Sequence, residues 1–371
     1  MGGVGYGLRT SKYINPMNPA SYSNMDSLTF LFDVGATLQL SLLNDEKNSH
    51  RNLNGNLMYL AMQFPLSRNM AMSAGILPYS HTGYSFNLLN DEDGISHSDY
   101  FFGKGGLNEV YVGWSINIWK KRLTLGTNVS YLFGIIEHNS EIRTNMSEVR
   151  TLYTTKKMNL RKLKYDLGVQ YTHPLSRADR ITFGLAYSPK LRLSSVLYDL
   201  LSSNDPYFTP SGLIQSDTLH NQKFDIPHSI GIGTSYEREN KITVAADLSF
   251  QQWSKALYNG ENNIFKDRIK FVVGGEYIPN ILARKYLSSI RYRAGLNYSN
   301  SYLQVNGSGY NEYGVSVGVG LPMLDNRSFI NISFEYVNVV PEVKSLINEQ
   351  YFRCTLSFTF NEMWFRKLRM D

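Results

Sequence analysis

The stretch from Leu28 to Leu42, LTFLFDVGATLQLSL, decides the fold of this chain. Every even-numbered position in it is apolar, whereas the odd-numbered positions are mostly polar or small. Successive side chains of a β-strand point to opposite faces of a sheet, so this alternation predicts a strand with one apolar face and one polar face. The stretch is longer than strands of soluble proteins, which average about 5–6 residues.

The same alternation recurs along the chain, at residues 123–135, 242–250, 290–298, 313–321 and 352–360. A soluble β-sandwich would also alternate, with its apolar face turned inward. So many long, aromatic-rich stretches with so little helical pattern favour a transmembrane β-barrel, which needs about 9–11 alternating residues per strand.

The composition agrees with a barrel. Of the 371 residues, 13% are aromatic and 18% are charged, below the roughly 25% of an average soluble protein. No apolar run approaches the length of about 18 residues that a membrane-spanning helix needs, which excludes a helical membrane protein. The net charge is +6 without a dense basic block before the last residues, so we expect no nucleic-acid partner.

The connections between the alternating stretches are short and long in turn. Short ones lie at residues 65–69, 119–122, 174–179, 237–241 and 322–327, and the longest polar ones at 78–106, 138–162 and 193–225. Short periplasmic turns and long extracellular loops are typical of bacterial outer-membrane barrels. The sequence therefore predicts an all-β, transmembrane antiparallel barrel of about 14 strands over residues 28–360.

In such a barrel the polar face of each strand lines the lumen. Its charged positions carry both signs, which favours a salt-bridged interior over an ion filter of one sign; contact with a transported solute is the alternative. The residues predicted to face inward are Asp33, Glu109, Lys164, Asp166, Asp247, Lys270, Glu276, Arg291, Arg293 and Glu335.

Residues 1–27 differ from the rest of the chain, with several glycines followed by Asn-Pro-Met-Asn-Pro-Ala at 15–20. Such a composition predicts a compact irregular segment that folds into the lumen as a plug. The motif Asn18-Pro19-Ala20, placed just before a long strand, resembles the N-terminal hatch of the FadL-type outer-membrane family. Segments at 105–111, 226–233 and 313–322 are similar to those of its Bacteroidetes branch.

The resemblance implies an outer-membrane uptake channel for hydrophobic small molecules such as long-chain fatty acids, gated by ligand-driven movement of the plug. FadL-type barrels open sideways to lipid at a kink in their third strand. The sequence ends that strand at Leu77, so we place the lateral opening at Pro78 and Gly83; the alternative is that Pro78 only begins a loop.

Two other functions stay open. One is a non-transporting barrel subunit of an outer-membrane multiprotein machine for protein secretion or barrel assembly, since members resembling this family serve in such machines. The other is an open diffusion pore. The aromatic and basic tail at 361–371 is expected at the periplasmic interface, as an anchor or as a contact for another protein.

The chain carries no motif for an enzyme. Its seven histidines are scattered without metal-site spacing, and its single cysteine, Cys354, lies on the apolar face of the last stretch. We therefore expect no catalytic activity, no cofactor and no metal. The start at Met1 shows no secretion signal, which we interpret as the mature form of a protein of a Gram-negative outer membrane, in contact with its lipid and lipopolysaccharide.

Overall fold

A computed structural model describes residues 1–26, 28–44, 49–92, 95–119, 121–144, 151–205, 209–220, 224–258, 260–281, 285–305, 307–324, 327–343 and 346–363. The described residues form seventeen strands: β1 (Thr29–Asn44), β2 (Ser49–Pro65), β3 (Met70–Glu92), β4 (Ile95–Trp119), β5 (Leu123–Thr144), β6 (Thr151–Pro174), β7 (Asp179–Ser188), β8 (Leu191–Asp205), β9 (Thr209–His220), β10 (Phe224–Ile226), β11 (Ser229–Arg238), β12 (Ile242–Gln251), β13 (Arg268–Tyr277), β14 (Arg291–Asn300), β15 (Tyr310–Pro322), β16 (Phe329–Pro341) and β17 (Asn348–Met363).

Helical structure among these residues is limited to two 3₁₀ turns, Pro19–Ser23 and Trp253–Lys255, and one short helix, Tyr286–Ser289. None of the helices found there is long and apolar enough to cross a membrane.

Fourteen strands, β1–β7 and β11–β17, close an antiparallel barrel. Each pairs with the next, β7 pairs with β11, and β1 closes the ring by pairing with both β2 and β17. The predicted number of strands is confirmed. The first strand of the barrel, β1, alternates as predicted, since Leu31 and Asp33 are buried inside whereas Leu38 on the other face is 58% exposed.

The barrel is taller on one side. Strands β7 and β11–β14 each have 10 residues, whereas β3, β4, β5 and β6 have 22 to 25. The tall wall, as we call β3–β6 with the hairpin β8–β9, extends beyond the extracellular ends of the short strands.

Most of the predicted long polar loops are therefore strands, and the prediction of loops at 78–106, 138–162 and 193–225 is wrong. The pairing of the strands continues above the bilayer because side chains of these stretches still pack against their partners on the neighbouring strand. Phe86 on β3, for example, stacks on its cross-strand partner Phe101, with ring centroids 5.2 Å apart. Polar residues are tolerated there because water bathes the sheet.

The chain end also differs from the prediction. Residues 361–363, assigned to the periplasmic tail, belong to β17, because they pair with the first residues of β1 as far as Thr29 opposite Met363. The rest of the predicted tail, 364–371, lies outside the described residues.

Candidate functional site

The interior of the barrel holds the N-terminal segment, residues 1–26. The carboxylate of Asp247 on β12 accepts hydrogen bonds from the backbone N–H groups of Gly5 (2.5 Å) and Tyr6 (2.9 Å). On β6, the side chain of Gln170 donates to the carbonyl oxygen of Tyr6 (3.1 Å). On β15, Ser316 accepts from the N–H of Gly2 (2.8 Å). The segment is thus attached to strands spread around the wall.

Arg9 fixes the segment near the short turns of the barrel. Its guanidinium donates to Asn117 Oδ1 and Thr172 Oγ1, both at 2.9 Å, and to the carbonyl oxygen of Lys121 at 3.1 Å. Arg9 is 4% exposed, so these contacts replace its water shell.

The predicted plug motif lies at the centre of this arrangement. Asn18 caps the 3₁₀ turn Pro19–Ser23 by accepting from the N–H of Ala20 (3.1 Å). Its amide nitrogen donates to the carbonyl oxygen of Tyr6 (2.8 Å) and contacts that of Val169 on the wall (3.3 Å). Asn18 and Ala20 are fully buried. Asn18 therefore joins two parts of the segment to each other and to β6.

Glycines on the inward face allow this close approach. A Cβ at Gly126 on β5 would collide with the backbone of Pro19, and one at Gly184 on β7 would collide with the carbonyl of Tyr6. Gly126 pairs directly with Gly168, so the wall is flat where the segment lies on it. The sequence analysis missed this set; its only signal was glycine at polar-face positions of neighbouring strands.

The predicted lumenal charges form ion pairs inside the wall. Lys164 bridges Glu109 and Asp166, each at 2.9 Å, and stands 5.3 Å from the ring centre of Tyr79. Glu276 bridges Arg291 (3.0 Å) and Arg293 (2.7 Å). The structure places all seven of the leading candidates on inward faces: Asp33, Glu109, Asp247, Glu276, Arg291, Arg293 and Glu335.

These charges serve different contacts. Arg293 also lies 5.7 Å from the ring centre of Tyr13, which ties the second ion-pair cluster to the N-terminal segment. Glu335 pairs with Arg353 (3.1 Å) on the neighbouring strand. Asp33 accepts a hydrogen bond from Thr359 (3.2 Å) across the seam that closes the barrel.

An apolar core lies in the extracellular half of the interior. Leu107, Leu132 and Leu160 from the tall wall pack with Leu193 and with Phe224 of β10, which folds inward.

Next to this core is an aromatic cap, made of Trp253, Tyr258, Phe265 and Tyr302. Trp253 stacks on Tyr302 with ring centroids 4.4 Å apart, and Phe265 packs edge-on against both. No signal in the alternation pattern predicted this core or this cap, because Phe224 lies in a stretch that was interpreted as a loop and the cap residues come from connections between barrel strands.

A buried carboxylate holds the inward-folded β10. Asp225 forms ion pairs with Lys190 (2.8 Å) and Arg192 (3.1 Å). Burial by itself raises the pKa of a carboxyl group, but the hydrogen bonds and charges of these two cations outweigh it and lower the pKa of Asp225 below its ordinary value.

The predicted lateral opening falls at a seam in the wall. Strands β2 and β3 pair only from Leu60–Ile76 to Pro65–Ala71. Above Ile76, β2 pairs with β1 alone and β3 with β4 alone.

Pro78 lies two residues above the last pair, Leu60–Ile76, and does not end β3, so the predicted end of the third strand at Leu77 is wrong. Proline is tolerated in β3 here because the strand has no partner on its β2 side above Ile76 and its register to β4 shifts between Pro78 and Ser80. Gly83 lies higher on the outward face, and a Cβ there would meet nothing within 4 Å.

The structure shows one small cavity beside the segment. A cavity of about 190 Å³ lies between Gly3, Tyr6, Met17, Asp247 and Lys270. Pockets for small organic ligands usually have about 300–1,000 Å³. This cavity is smaller than such a pocket and is lined by charged and polar groups.

The sequence model of the BamG family matches residues 1–371, the whole chain. The chain belongs to the BamG family. No curated protein matches the sequence.

Solved structures share the fold of this BamG-family barrel at low identity. The CymD monoaromatic hydrocarbon channel is 14% identical with a TM-score of 0.62, over 92% of this chain and 90% of its own. A Pseudomonas aeruginosa FadL homologue is 12% identical with a TM-score of 0.62, over 92% of each chain. The toluene transporter TodX of P. putida is 13% identical with a TM-score of 0.62, over 95% of each chain. The predicted FadL-type outer-membrane barrel fold is thus confirmed, whereas the Bacteroidetes branch stays a prediction.

Proposed function

We propose that the chain is a non-transporting barrel subunit of an outer-membrane multiprotein machine of the barrel-assembly kind. The observation that carries the proposal is the attachment of the N-terminal segment, residues 1–26, inside the barrel. The name of the family, BamG, is of the form given to proteins of the barrel-assembly machinery, and it supports that choice among machines.

The N-terminal segment is held in place by many specific contacts with the wall. Three wall strands contribute hydrogen bonds to Gly2, Gly5 and Tyr6, and Arg9 is bound by three acceptors near the short turns of the barrel. Wall glycines bring the backbone of the segment into direct contact with the strands. A plug that moved with each transport cycle would have to break all of these contacts and remake them.

The tall wall gives such a subunit a surface for protein contacts. Above the barrel, the inward face of this sheet carries Tyr84 and Phe86, which are 37% and 44% exposed. The Tyr84 hydroxyl is hydrogen-bonded to His138 (2.7 Å), which keeps the ring in place. Rigid, half-exposed aromatic side chains are typical anchors of protein interfaces.

A second function is favoured by one specific observation. The seam between β2 and β3 leaves the wall unpaired above Ile76, next to Pro78, and the fold is that of hydrocarbon channels and a toluene transporter. In this alternative the chain takes up hydrophobic small molecules, and the ligand leaves sideways through the seam into the lipid. It requires ligand binding to displace the N-terminal segment.

Conditional depletion of the protein in its native cell tests the choice. If the protein is a machine subunit, its loss should lower the outer-membrane levels of many unrelated barrels, measured by quantitative proteomics. The uptake of a labelled fatty acid or of toluene should stay unchanged when it is normalised to the remaining amount of the cell's uptake channels. Reduced uptake with a normal complement of barrels would contradict the proposal and support the channel. Re-expression of the wild-type chain is the control for both readouts.

A further inference from the structure

A groove crosses the outer face of the tall wall where β3, β4, β5 and β6 lie side by side. It encloses about 610 Å³, and its lining includes His81, Asn108, Tyr131, Phe133, Asn159 and Arg161. We call it the cationic groove. It faces away from the lumen, because Phe133 pairs with Asn108 and Arg161 on the face opposite to the buried Leu132.

The cationic groove lies where the apolar belt of the barrel ends. On β4 every outward residue from Ile118 up to Val110 is apolar, and the next outward residue is Asn108. On β6 the change comes between Leu163 and Arg161. The belt on β4 has the length of about 9–11 residues that spans a bilayer, so the groove is at the level of the outer headgroups.

The groove carries a net positive charge, and part of this charge is not neutralised by ion pairs among the described residues. Arg161 is exposed and forms no ion pair or hydrogen bond with any other residue that the structure describes. Just above it, Glu137 is shared by Lys104 and Lys157, both at 3.2 Å, which leaves one positive charge in excess. Exposed cations at the headgroup level attract anionic headgroups.

The remaining lining suits the other end of a lipid. Tyr131 and Phe133 stack along β5 with ring centroids 5.9 Å apart, and they present an apolar surface that begins beside Arg161, at Phe133, and continues below it, at Tyr131. Gly105, Gly106 and Gly134 also belong to the lining, and they carry no side chain that would fill the groove. A phosphate can thus reach the guanidinium while an acyl chain or sugar lies on the two rings.

We propose that the cationic groove binds a phosphorylated glycolipid of the outer leaflet, with the lipid phosphate on Arg161 and the acyl chains descending over Tyr131 and Phe133. A planar guanidinium offers two parallel donors to phosphate oxygens, which a lysine cannot match. This site is independent of the choice between machine subunit and channel, because it lies on the outside of the wall.

Native mass spectrometry of the detergent-purified chain tests the proposal, with bisphosphorylated lipid A and enzymatically dephosphorylated lipid A as probes. We expect the phosphorylated lipid to bind at least about tenfold more tightly, and Arg161→Gln to remove most of that difference, which is the size of one charge-assisted contact. The matched control is Arg51→Gln, which changes an exposed arginine on the outward face of β2 and should bind as the wild type does.

Three results would overturn it. Equal affinity of the wild type for both lipids would show that the phosphate is not recognised. Equal binding by the two variants would show that Arg161 does not contribute to binding. A third arm adds inorganic phosphate: the lipid should stay bound at equimolar phosphate, and its displacement there would contradict a lipid site. Heat-modifiable migration of each variant confirms that it is folded.

Discussion

Replacing Gly184 with alanine tests how firmly the N-terminal segment is held. Gly184 faces the interior on β7, and the carbonyl of Tyr6 occupies the place of a Cβ. Backbone atoms stand on both sides of this contact, so no flexible side chain can move aside. We expect Gly184→Ala to push the part of the segment around Tyr6 away from the wall.

The size of the effect follows from the contacts that compete. Overpacking usually costs about 1–3 kcal/mol. Full release would break the two hydrogen bonds from Gly5 and Tyr6 to the Asp247 carboxylate, each of a class worth about 1.5–3 kcal/mol. A local shift of the segment costs less free energy than its full release, so the segment should still close the lumen in most molecules. The attachment should weaken by about 1–3 kcal/mol, which raises the detached population about 5- to 150-fold.

Trypsin cleavage after Arg9 and Lys12, followed by mass spectrometry, measures detachment, since Arg9 is buried and bound in the closed state. The matched control is Gly275→Ala, where a Cβ would meet only the carbonyl of Thr243 at 3.6 Å. We expect faster cleavage in Gly184→Ala than in Gly275→Ala. The same rate in both variants would refute the conclusion that the segment is held by direct backbone contact.

Two further predictions concern buried charges. Glu276→Ala leaves Arg291 and Arg293 without their shared carboxylate, so it should lower the free energy of unfolding by about 3–5 kcal/mol, measured by urea unfolding from liposomes. The control Glu312→Ala removes a more exposed ion pair and should cost about 1 kcal/mol or less. Similar losses in the two variants would contradict this ranking. The lowered pKa of Asp225 means that its ion pairs stabilise β10 above the ordinary carboxyl pKa and are lost as pH falls through the lower folded value. Tryptophan fluorescence should report loosening of the aromatic cap in acid, and Asp225→Asn should abolish that pH dependence; an unchanged acid transition would count against it.

The alternation from Leu28 to Leu42 was sufficient to predict the barrel, because lipid outside and polar groups inside impose a period of two on every strand. The same logic put Asp33, Glu276 and Arg293 on inward faces. It could not show that Glu276 joins two arginines, since ion pairing depends on the register between strands, which alternation leaves undetermined.

The features that decide the function were less accessible. Polar stretches such as 78–106 were interpreted as loops, although cross-strand pairs such as Phe86 with Phe101 continue the sheet in water. The only sequence signal at Gly126 and Gly184 is that a glycine stands at a polar-face position of a strand, which does not show what it contacts. Their role depends on the distant residues Pro19 and Tyr6, which only the folded chain brings next to them.

Purification from native membranes in mild detergent, with an epitope tag in the connection between β8 and β9, tests the central claim most directly. Mass spectrometry of the intact eluate gives both the protein stoichiometry and any bound small molecule. We predict a complex of fixed stoichiometry that contains the central barrel of the barrel-assembly machinery, with the interior free of fatty or aromatic ligand. A lone barrel that carries such a ligand would contradict the account.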